Sequence, residues 1–484
     1  MEMTRRLLCL PNKTLPSNDR PKIKDIATEY LENSTTHGIG NIYKTTRIFP
    51  RIFWIIAFVV FLSIFLSGIP KLISNLTANE HITRIHDETQ ENGIEFPAVT
   101  LCNANAVRFH KMDTLLKQFF PDISNWTHET YREKIQDLLL MSVDFNSTLL
   151  SWFGEQPEDF FAADTCLFSG EKCRYPEDFF MVSSSFRGNC FTFNFNGSLL
   201  QRKTGVEYGL TLIMDISQAD YNIYIQDSAV SSVGAFVTMH NSGYTPPSND
   251  EALLVAPNQI SRMAIRKKSI QRLKYPYRDN CTDGNADFNM KGRNYTVSTC
   301  THLCNIEEMH KYCKVVDTQA LLTALYSSGR RYKSATTEDD FECLKRFESL
   351  FKNGKVKCSC PNPCYEEFFT NSISTASWPS EPELKQKIIE LRRRNRNVTE
   401  KSFKENFLAI QIYYENFNIE RTVHIPAYSI DDFFSDLGGS LGLWIGSSFL
   451  SLLEIGAMLV EMIRVKINSY FNFKTNANSV TSMT

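Results

Sequence analysis

Residues Leu437 to Ile463 form an apolar run of twenty-seven residues. As a helix rising about 1.5 Å per residue, the run is long enough to cross a bilayer core of roughly 30 Å. It also carries polarity that a plain anchor does not need. At 100° per residue, Asp436, Ser440, Ser447, Ser451, Glu454 and Glu461 fall within a sector about 80° wide. Gly438, Gly442 and Gly446 recur every fourth residue, roughly on the other side. Carboxylates inside a membrane are costly and face water or a partner, and glycines at this spacing let helices approach closely. One wet face and one small-residue face suit the wall of a water-filled pore, which takes several copies to close. Two other readings exist. A single-pass anchor explains the apolarity but leaves Glu454 and the aligned serines without a role. Gly438-Gly439-Ser440-Leu441-Gly442 fits the G-x-S-x-G pattern of a hydrolase nucleophile elbow, but that motif belongs on a strand-turn-helix in a soluble sheet.

A second apolar run, Ile52 to Pro70, holds no charged residue and can span with its flanks. Residues 1–51 are polar and charged, so the first span reads as a signal anchor rather than a cleaved leader. Lys44, Arg47 and Arg51 precede it; Arg464, Lys466 and Lys474 follow the second span, and Asp431, Asp432 and Asp436 lie at the opposite mouth. The excess of basic residues on one side places both termini in the cytoplasm. The expected organisation is a cytoplasmic N-terminus over 1–51, a first transmembrane helix over 52–70, an extracellular domain over 71–436, a second transmembrane helix over 437–463 and a cytoplasmic tail over 464–484. Net charge is −2 across 484 residues, so no charge excess points to nucleic acid.

Cysteine usage agrees with an exterior domain. Of 13 cysteines, all but Cys9 lie between the two spans, and an even count there reads as a disulfide framework. Zinc is the rival for Cys358, Cys360 and Cys364, but their spacing matches no C-x2-C pair, and no metal or cofactor is expected. N-x-S/T sequons at Asn75, Asn125, Asn146, Asn196, Asn280, Asn294 and Asn397 lie in the same exterior segment and are candidate glycosylation sites.

Ile23, Ile26, Ala27, Tyr30 and Leu31 are at helical spacing, so residues 21–36 form either a short amphipathic helix or a disordered tail. In the exterior, Glu95–Leu101 reads as an extended entry into a strand. Cys190–Phe195, Tyr208–Ile216, Ala235–His240 and Phe407–Tyr414 are rich in β-branched and aromatic residues and predict strands. Thr114–Phe120, Tyr131–Val143, Thr301–Tyr312 and Pro382–Arg394 predict helices. The fold class expected is a membrane protein with two transmembrane helices and a large disulfide-rich α+β ectodomain. Two unrelated families of ligand-gated channel share this topology.

Local motifs separate them. The segment from Asp436 through Gly446-Ser447-Ser448 to Glu454 resembles the pore segment of the degenerin/epithelial sodium channel family, including its G-x-S filter. Phe96-Pro97-Ala98-Val99-Thr100-Leu101-Cys102-Asn103 resembles the strand entry after that family's first span. Gly188 to Asn194, Ser377-Trp378-Pro379-Ser380 and His37-Gly38 match further family motifs, and the resemblance runs from about residue 37 to 466. The ATP-gated channels share the topology but not these motifs.

The resemblance implies a homo- or heterotrimeric, sodium-selective channel of the plasma membrane, blocked by amiloride. Its partners would be membrane lipid, two further identical or homologous subunits and sodium ions. Gly446, Ser447 and Ser448 would form the selectivity filter, where small residues let three backbones approach and oxygens suit a hard cation. The family's second span unwinds at this motif, so helical bookkeeping can fail there. Ser435, Asp436, Gly439 and Ser440 would line the gate and pore, although Ser435 alone also reads as a helix N-cap. Glu454 would form a carboxylate ring below the filter, and His37-Gly38 would be a cytoplasmic gating motif. The implied disulfides are Cys102–Cys190, Cys166–Cys173, Cys281–Cys364, Cys300–Cys360, Cys304–Cys358 and Cys313–Cys343. Tyr277 matches an aromatic residue that couples a helical thumb to the pore; an ordinary surface or core tyrosine is the plain alternative.

The trigger is the open part. Asp87 and Glu88 match an acidic pair of the acid-sensing branch, where coupled buried carboxylates titrate upward. Lys345 and Ser349 stand where that branch carries thumb carboxylates. The reading preferred is therefore an extracellular peptide ligand, ahead of protons, bile-acid-like amphiphiles, mechanical load or constitutive activity. A non-conducting cell-surface receptor or adhesion protein on the same scaffold is the rival from another class. No exterior nucleophile-base or metal-ligand motif points to an enzyme.

Overall fold

The computed structural model describes residues 23–480 apart from 121–122, 124–125, 128–129, 133, 136–150, 163–164, 175–176, 185–186, 223–231, 245–251, 285–293, 318–331 and 394–395. The sequons at Asn125 and Asn146, Cys9 and most of the helix expected over Tyr131–Val143 lie outside the described residues. The chain divides into two compact units, Met1–His81 with Pro426–Thr484, and Ile82–Ile425.

The larger unit is α+β. One sheet runs β1 (His81–Thr89), β15 (Asn418–Pro426), β12 (Gln259–Gln271), β14 (Phe407–Tyr414), β9 (Leu210–Asp215), β4 (Leu167–Phe168) and β5 (Glu171–Lys172), with β13 (Tyr365–Ser377) pairing the other edge of β12. A second sheet orders β11 (Leu253–Val255), β10 (Ala235–His240), β3 (Ala98–Asn103), β7 (Gly188–Phe193) and β6 (Phe179–Ser184), and a short pair joins β2 (Ile94–Glu95) to β8 (Leu200–Gln201). Three of the expected strands start or end within two residues of the observed β7, β9 and β10, and β14 coincides with Phe407–Tyr414. β7 stops at Phe193 because Asn194 turns left-handed, at φ +55°.

Strand alternation builds the core. Leu408, Ile410, Ile412 and Tyr414 of β14 face Leu210, Leu212 and Met214 of β9, Met263 and Ile265 of β12, and Val99, Leu101, Phe191 and Phe193 of the second sheet. The opposite face of β14, through Phe407 and Ala409, packs on Leu384, Ile388 and Leu391 of the helix Glu381–Arg393 and on Phe403 and Trp378. Being covered on both faces, β14 reads in sequence as a continuous apolar run. Gly188, at φ +63°, leaves no room for a side chain, because an added Cβ would collide with the Ala106 carbonyl. The backbone conformation alone costs an L-residue about 1–2 kcal/mol. Gly188→Ala is therefore expected to cut delivery of the protein to the cell surface severely, measured by surface biotinylation. Wild-type surface levels in that variant would contradict the packing described for β7.

Six disulfides join the same pairs that the resemblance implies: Cys102–Cys190, Cys166–Cys173, Cys281–Cys364, Cys300–Cys360, Cys304–Cys358 and Cys313–Cys343. Four of them staple a thumb of two helices, Val297–Cys313 and Glu338–Lys352, and the chain leading into β13. With Cys300 and Cys304 one turn apart on the first helix, their partners Cys360 and Cys358 follow in reverse order, which is the nesting of an antiparallel return.

The smaller unit is helical. It contains α1 (Ile23–Asn33), α2 (Ile39–Lys44), α3 (Ile48–Thr77), α10 (Ile430–Ile445) and α11 (Phe449–Val480); between α3 and α10 the other helices described lie in the larger unit. The first of the two readings of residues 21–36, a helix, is what the structure shows. Helix α3 is long and apolar enough to cross a membrane, and none of it is buried inside the protein. It is longer than the span expected over 52–70, and Asn75 sits exposed in its last turn. Asn196, Asn280 and Asn397 are exposed as well, and Asn294 is half-buried.

Candidate pore segment

The segment expected as one helix over 437–463 is two helices. α10 and α11 are bent by 79° at the break between them, and the break falls on Gly446-Ser447-Ser448. Helix α10 starts at a capping box, in which the Ser429 hydroxyl accepts from the Asp432 amide while the Asp432 carboxylate accepts from the Ser429 amide. It ends at Gly446, which turns left-handed at φ +66°, its amide donating to the Gly442 carbonyl at 3.1 Å. Ser448 then opens α11. Its hydroxyl accepts from the Ser451 amide at 3.4 Å, and the Ser451 hydroxyl accepts from the Ser448 amide at 3.2 Å. A left-handed glycine followed by a serine cap is a physical reason for the bend. Helical bookkeeping across 437–463 therefore fails, and the six polar residues aligned on one ideal helix do not share a face across the break.

Three of those six meet the chain's own N-terminal segment. The buried Ser447 hydroxyl donates to Thr36 Oγ1 at 3.0 Å. Thr35 Oγ1 donates to Glu454 Oε2 at 2.9 Å, which leaves Ser451 Oγ to donate to Thr35 at 2.7 Å, since a hydroxyl carries one proton. Ser451 is 2% exposed. Beside this cluster, a Cβ added at Gly446 would sit on the His37 imidazole, so the glycine is required both by φ and by contact. Gly38 is buried at φ +93° and opens α2, with its carbonyl accepting from the Ile42 amide at 2.9 Å. His37-Gly38 and Gly446-Ser447-Ser448 are thus brought together, although more than four hundred residues separate them in sequence.

Helix α10 buries Leu441 and Ile445 and stacks Trp444 on Phe61 of α3, ring centroids 6.2 Å apart. Its small-residue side stays open in the single chain. Ser435, Asp436, Gly439 and Gly442 are exposed, and a Cβ at Gly439 would meet nothing within 4 Å. Asp436 accepts from the Tyr428 hydroxyl at 2.8 Å, which orients its carboxylate at the start of the helix. Ser440 is half-buried.

In the larger unit, Asp87 and Glu88 are neighbours on β1 and so point to opposite faces of the strand. Glu88 is half-buried and ion-paired with Arg421 of β15 at 2.8 Å, and its other oxygen accepts from Gln90; Asp87 is exposed. Within one chain they are not buried together. Tyr277 is half-buried in a loop held by Asp279, whose carboxylate accepts from the Leu273 amide and contacts His424 Nδ1 at 2.6 Å. Lys345 and Ser349, one turn apart, lie on the exposed face of the second thumb helix. Thr35, Thr36 and Arg421 were not singled out from the sequence. The pairing of hydroxyls beside His37-Gly38 with the serines at the break was the available signal for the first two.

A family model described as Amiloride-sensitive sodium channel matches residues 30–457. The chain is 26% identical to Acid-sensing ion channel 1A of Danio rerio, covering 90% of this chain and 88% of that one. It is 27% identical to the human Bile acid-sensitive ion channel, covering 93% and 88%. To Degenerin-like protein unc-105 of Caenorhabditis elegans it is 29% identical, over 61% of this chain and 34% of that protein, so it spans about a third of that relative's length. Motifs, disulfide pairs and family model cover the same stretch of sequence, and the chain belongs to the amiloride-sensitive sodium channel family, that of the degenerins and epithelial sodium channels.

Proposed function

We propose that the chain is a subunit of a trimeric, sodium-selective, amiloride-blocked channel of the plasma membrane, with both termini cytoplasmic and an extracellular peptide as its trigger. The observation that carries the permeation reading is the break at Gly446–Ser448, where two apolar helices meet at a left-handed glycine and a serine cap. Gly446, Ser447 and Ser448 are the filter, and Ser435, Asp436, Gly439 and Ser440, on the open side and upper turns of α10, line the gate. Glu454 draws cations from below. Because Ser447 is tied to Thr36 and Gly446 seats on His37, any movement of the His37-Gly38 loop must alter the filter; this supports a gating role for that loop.

Two features argue against protons as the principal trigger. Reversing a strongly closed equilibrium takes about 5.5 kcal/mol, whereas a shift of one pKa unit gives only about 1.4 kcal/mol. Glu88 is already paired with Arg421, and Lys345 and Ser349 supply no carboxylates. A peptide with three sites needs only about 2 kcal/mol of preference for the open state at each. The expected result is little current on a step to mild acid and a clear current from some extracellular peptide, recorded in whole cells expressing this chain. A half-exposed surface ion pair such as Glu88–Arg421 is worth about 0–1 kcal/mol. Asp87→Asn with Glu88→Gln should therefore leave the peptide-evoked current within about fivefold. A large transient acid current abolished by that double substitution would make this a proton-gated channel instead. The likeness to the Bile acid-sensitive ion channel over most of both chains supports a second reading, in which an amphiphilic steroid acid opens the pore; the same recording separates it.

A further inference from the structure

One end of the β1–β15–β12 sheet gathers three metal-ligating side chains. His81 opens β1, His424 lies near the end of the neighbouring strand β15, and Asp279 sits in the loop that follows β12, the next strand across. β12 and β15 run parallel with Gln271 beside Val423, so the chain leaving β12 emerges next to His424. The loop is then folded back on itself: the Asp279 carboxylate accepts from the Leu273 amide at 3.3 Å, and Cys281 is fixed to Cys364. One ligand atom from each of His81, Asp279 and His424 lies within 4.8 Å of the other two, and all three residues are half-buried. His424 Nδ1 and Asp279 Oδ2 are 2.6 Å apart. Sequence spacing gave no reason to expect a metal here, because the three ligands come from segments far apart in the chain and only the sheet brings them together.

Two imidazoles and one carboxylate are a donor set for zinc with three protein ligands, in which water takes the fourth position. Calcium and magnesium need an oxygen shell that a single carboxylate does not supply, whereas imidazole suits zinc, copper and nickel. The geometry fits with small movements. Zinc bonds of about 2.0–2.2 Å at tetrahedral angles hold neighbouring donors roughly 3.4 Å apart. The His424–Asp279 pair at 2.6 Å therefore opens by about 0.8 Å, and a pair at the full 4.8 Å closes by about 1.4 Å, within reach of side-chain rotation. The proton held between His424 and Asp279 leaves to solvent as the ion takes its place. We propose that His81, Asp279 and His424 bind one divalent transition-metal cation of the zinc type in each chain. The ion joins β1, β15 and the loop after β12 at a single point. In sequence β1 follows the apolar helix α3 and β15 precedes α10, so a bound ion restrains both segments of chain that connect the sheet to those helices.

The test is isothermal titration calorimetry of zinc chloride into the purified full-length protein in detergent, without a polyhistidine tag and in millimolar calcium. Saturable binding of one zinc per chain is expected, and cobalt(II) titrated in its place should give the visible absorption bands of a four-coordinate ion. His81→Gln and His424→Gln each remove an imidazole and should raise the Kd at least tenfold. Asp279→Asn, which keeps an acceptor for the Leu273 amide, should do the same. His86→Gln, exposed on the same strand β1, should change it less than twofold. Absence of saturable binding, displacement of zinc by calcium, or an unchanged Kd in His424→Gln protein that elutes as wild type would overturn the proposal. The wild-type protein supplies a second measurement that no folding defect can confuse. Modification of histidines by diethyl pyrocarbonate, read peptide by peptide by mass spectrometry, should be suppressed by zinc at His81 and His424 but not at His86. Equal modification of His81 and His424 with and without saturating zinc would also overturn it.

Discussion

Gly446→Ala is expected to abolish current while the protein still reaches the cell surface. The substitution does two separate things. It forces an L-residue into φ +66°, at a cost of about 1–2 kcal/mol, and it drives a methyl group into the His37 ring. The second effect displaces the N-terminal loop that holds Ser447 through Thr36. In the trimer proposed above the displacement would occur in every subunit, so the proposed filter would be distorted from all sides. The double variant His37→Ala with Gly446→Ala relieves the collision but keeps the backbone strain, so it should recover part of the current. Current is measured per unit of biotinylated surface protein. Wild-type current density in Gly446→Ala would mean that the break is not held as described.

Modification of Ser435→Cys by a bulky, positively charged thiol reagent is expected to hold the channel open without any ligand. Ser435 is exposed on the small-residue side of α10, one turn before Gly439, where nothing lies within 4 Å of an added Cβ in the single chain. In a closed trimer that space is where neighbouring helices would cross. Overpacking a tight contact costs about 1–3 kcal/mol, and three modified subunits together exceed a closed bias of a few kcal/mol. Modification that leaves resting current flat, while open-channel current shows that the reagent arrives, would remove the gate from this position.

The sequence made the first long apolar helix and the disulfide domain legible because both depend on strong, local signals: uninterrupted apolar length and cysteine count. β10 and β14 were legible because they are buried, and buried strands are written in apolar and β-branched residues. The long antiparallel pair β12–β13 was not seen. β13 is largely exposed along its second half and reads Asn371-Ser372-Ile373-Ser374-Thr375, a polar run whose strand conformation is imposed by backbone pairing along the whole of β12 rather than by side-chain burial. The pore segment was half legible. The family resemblance pointed to Gly446, Ser447 and Ser448 and warned of an unwinding there, and the break falls on those residues. A helical wheel nonetheless placed Ser447, Ser451 and Glu454 on the water-facing stripe, whereas their hydroxyls and carboxylate meet Thr35 and Thr36. Periodicity cannot report a partner that is distant in sequence. The same holds for Glu88, whose neighbour Arg421 lies more than three hundred residues away and changes an apparent acidic pair into an ion pair.

The central claim is a sodium-selective pore shaped by Gly446-Ser447-Ser448, and the most direct test is the reversal potential of a channel opened without its ligand. Ser435→Cys channels, modified and therefore open, are recorded while external sodium is exchanged for potassium. The account predicts a large negative shift of the reversal potential, block of the current by external amiloride, and a much smaller shift when Ser448 is also replaced by a larger residue. A reversal potential that does not move on the exchange, or one that moves equally with and without the Ser448 substitution, would contradict it.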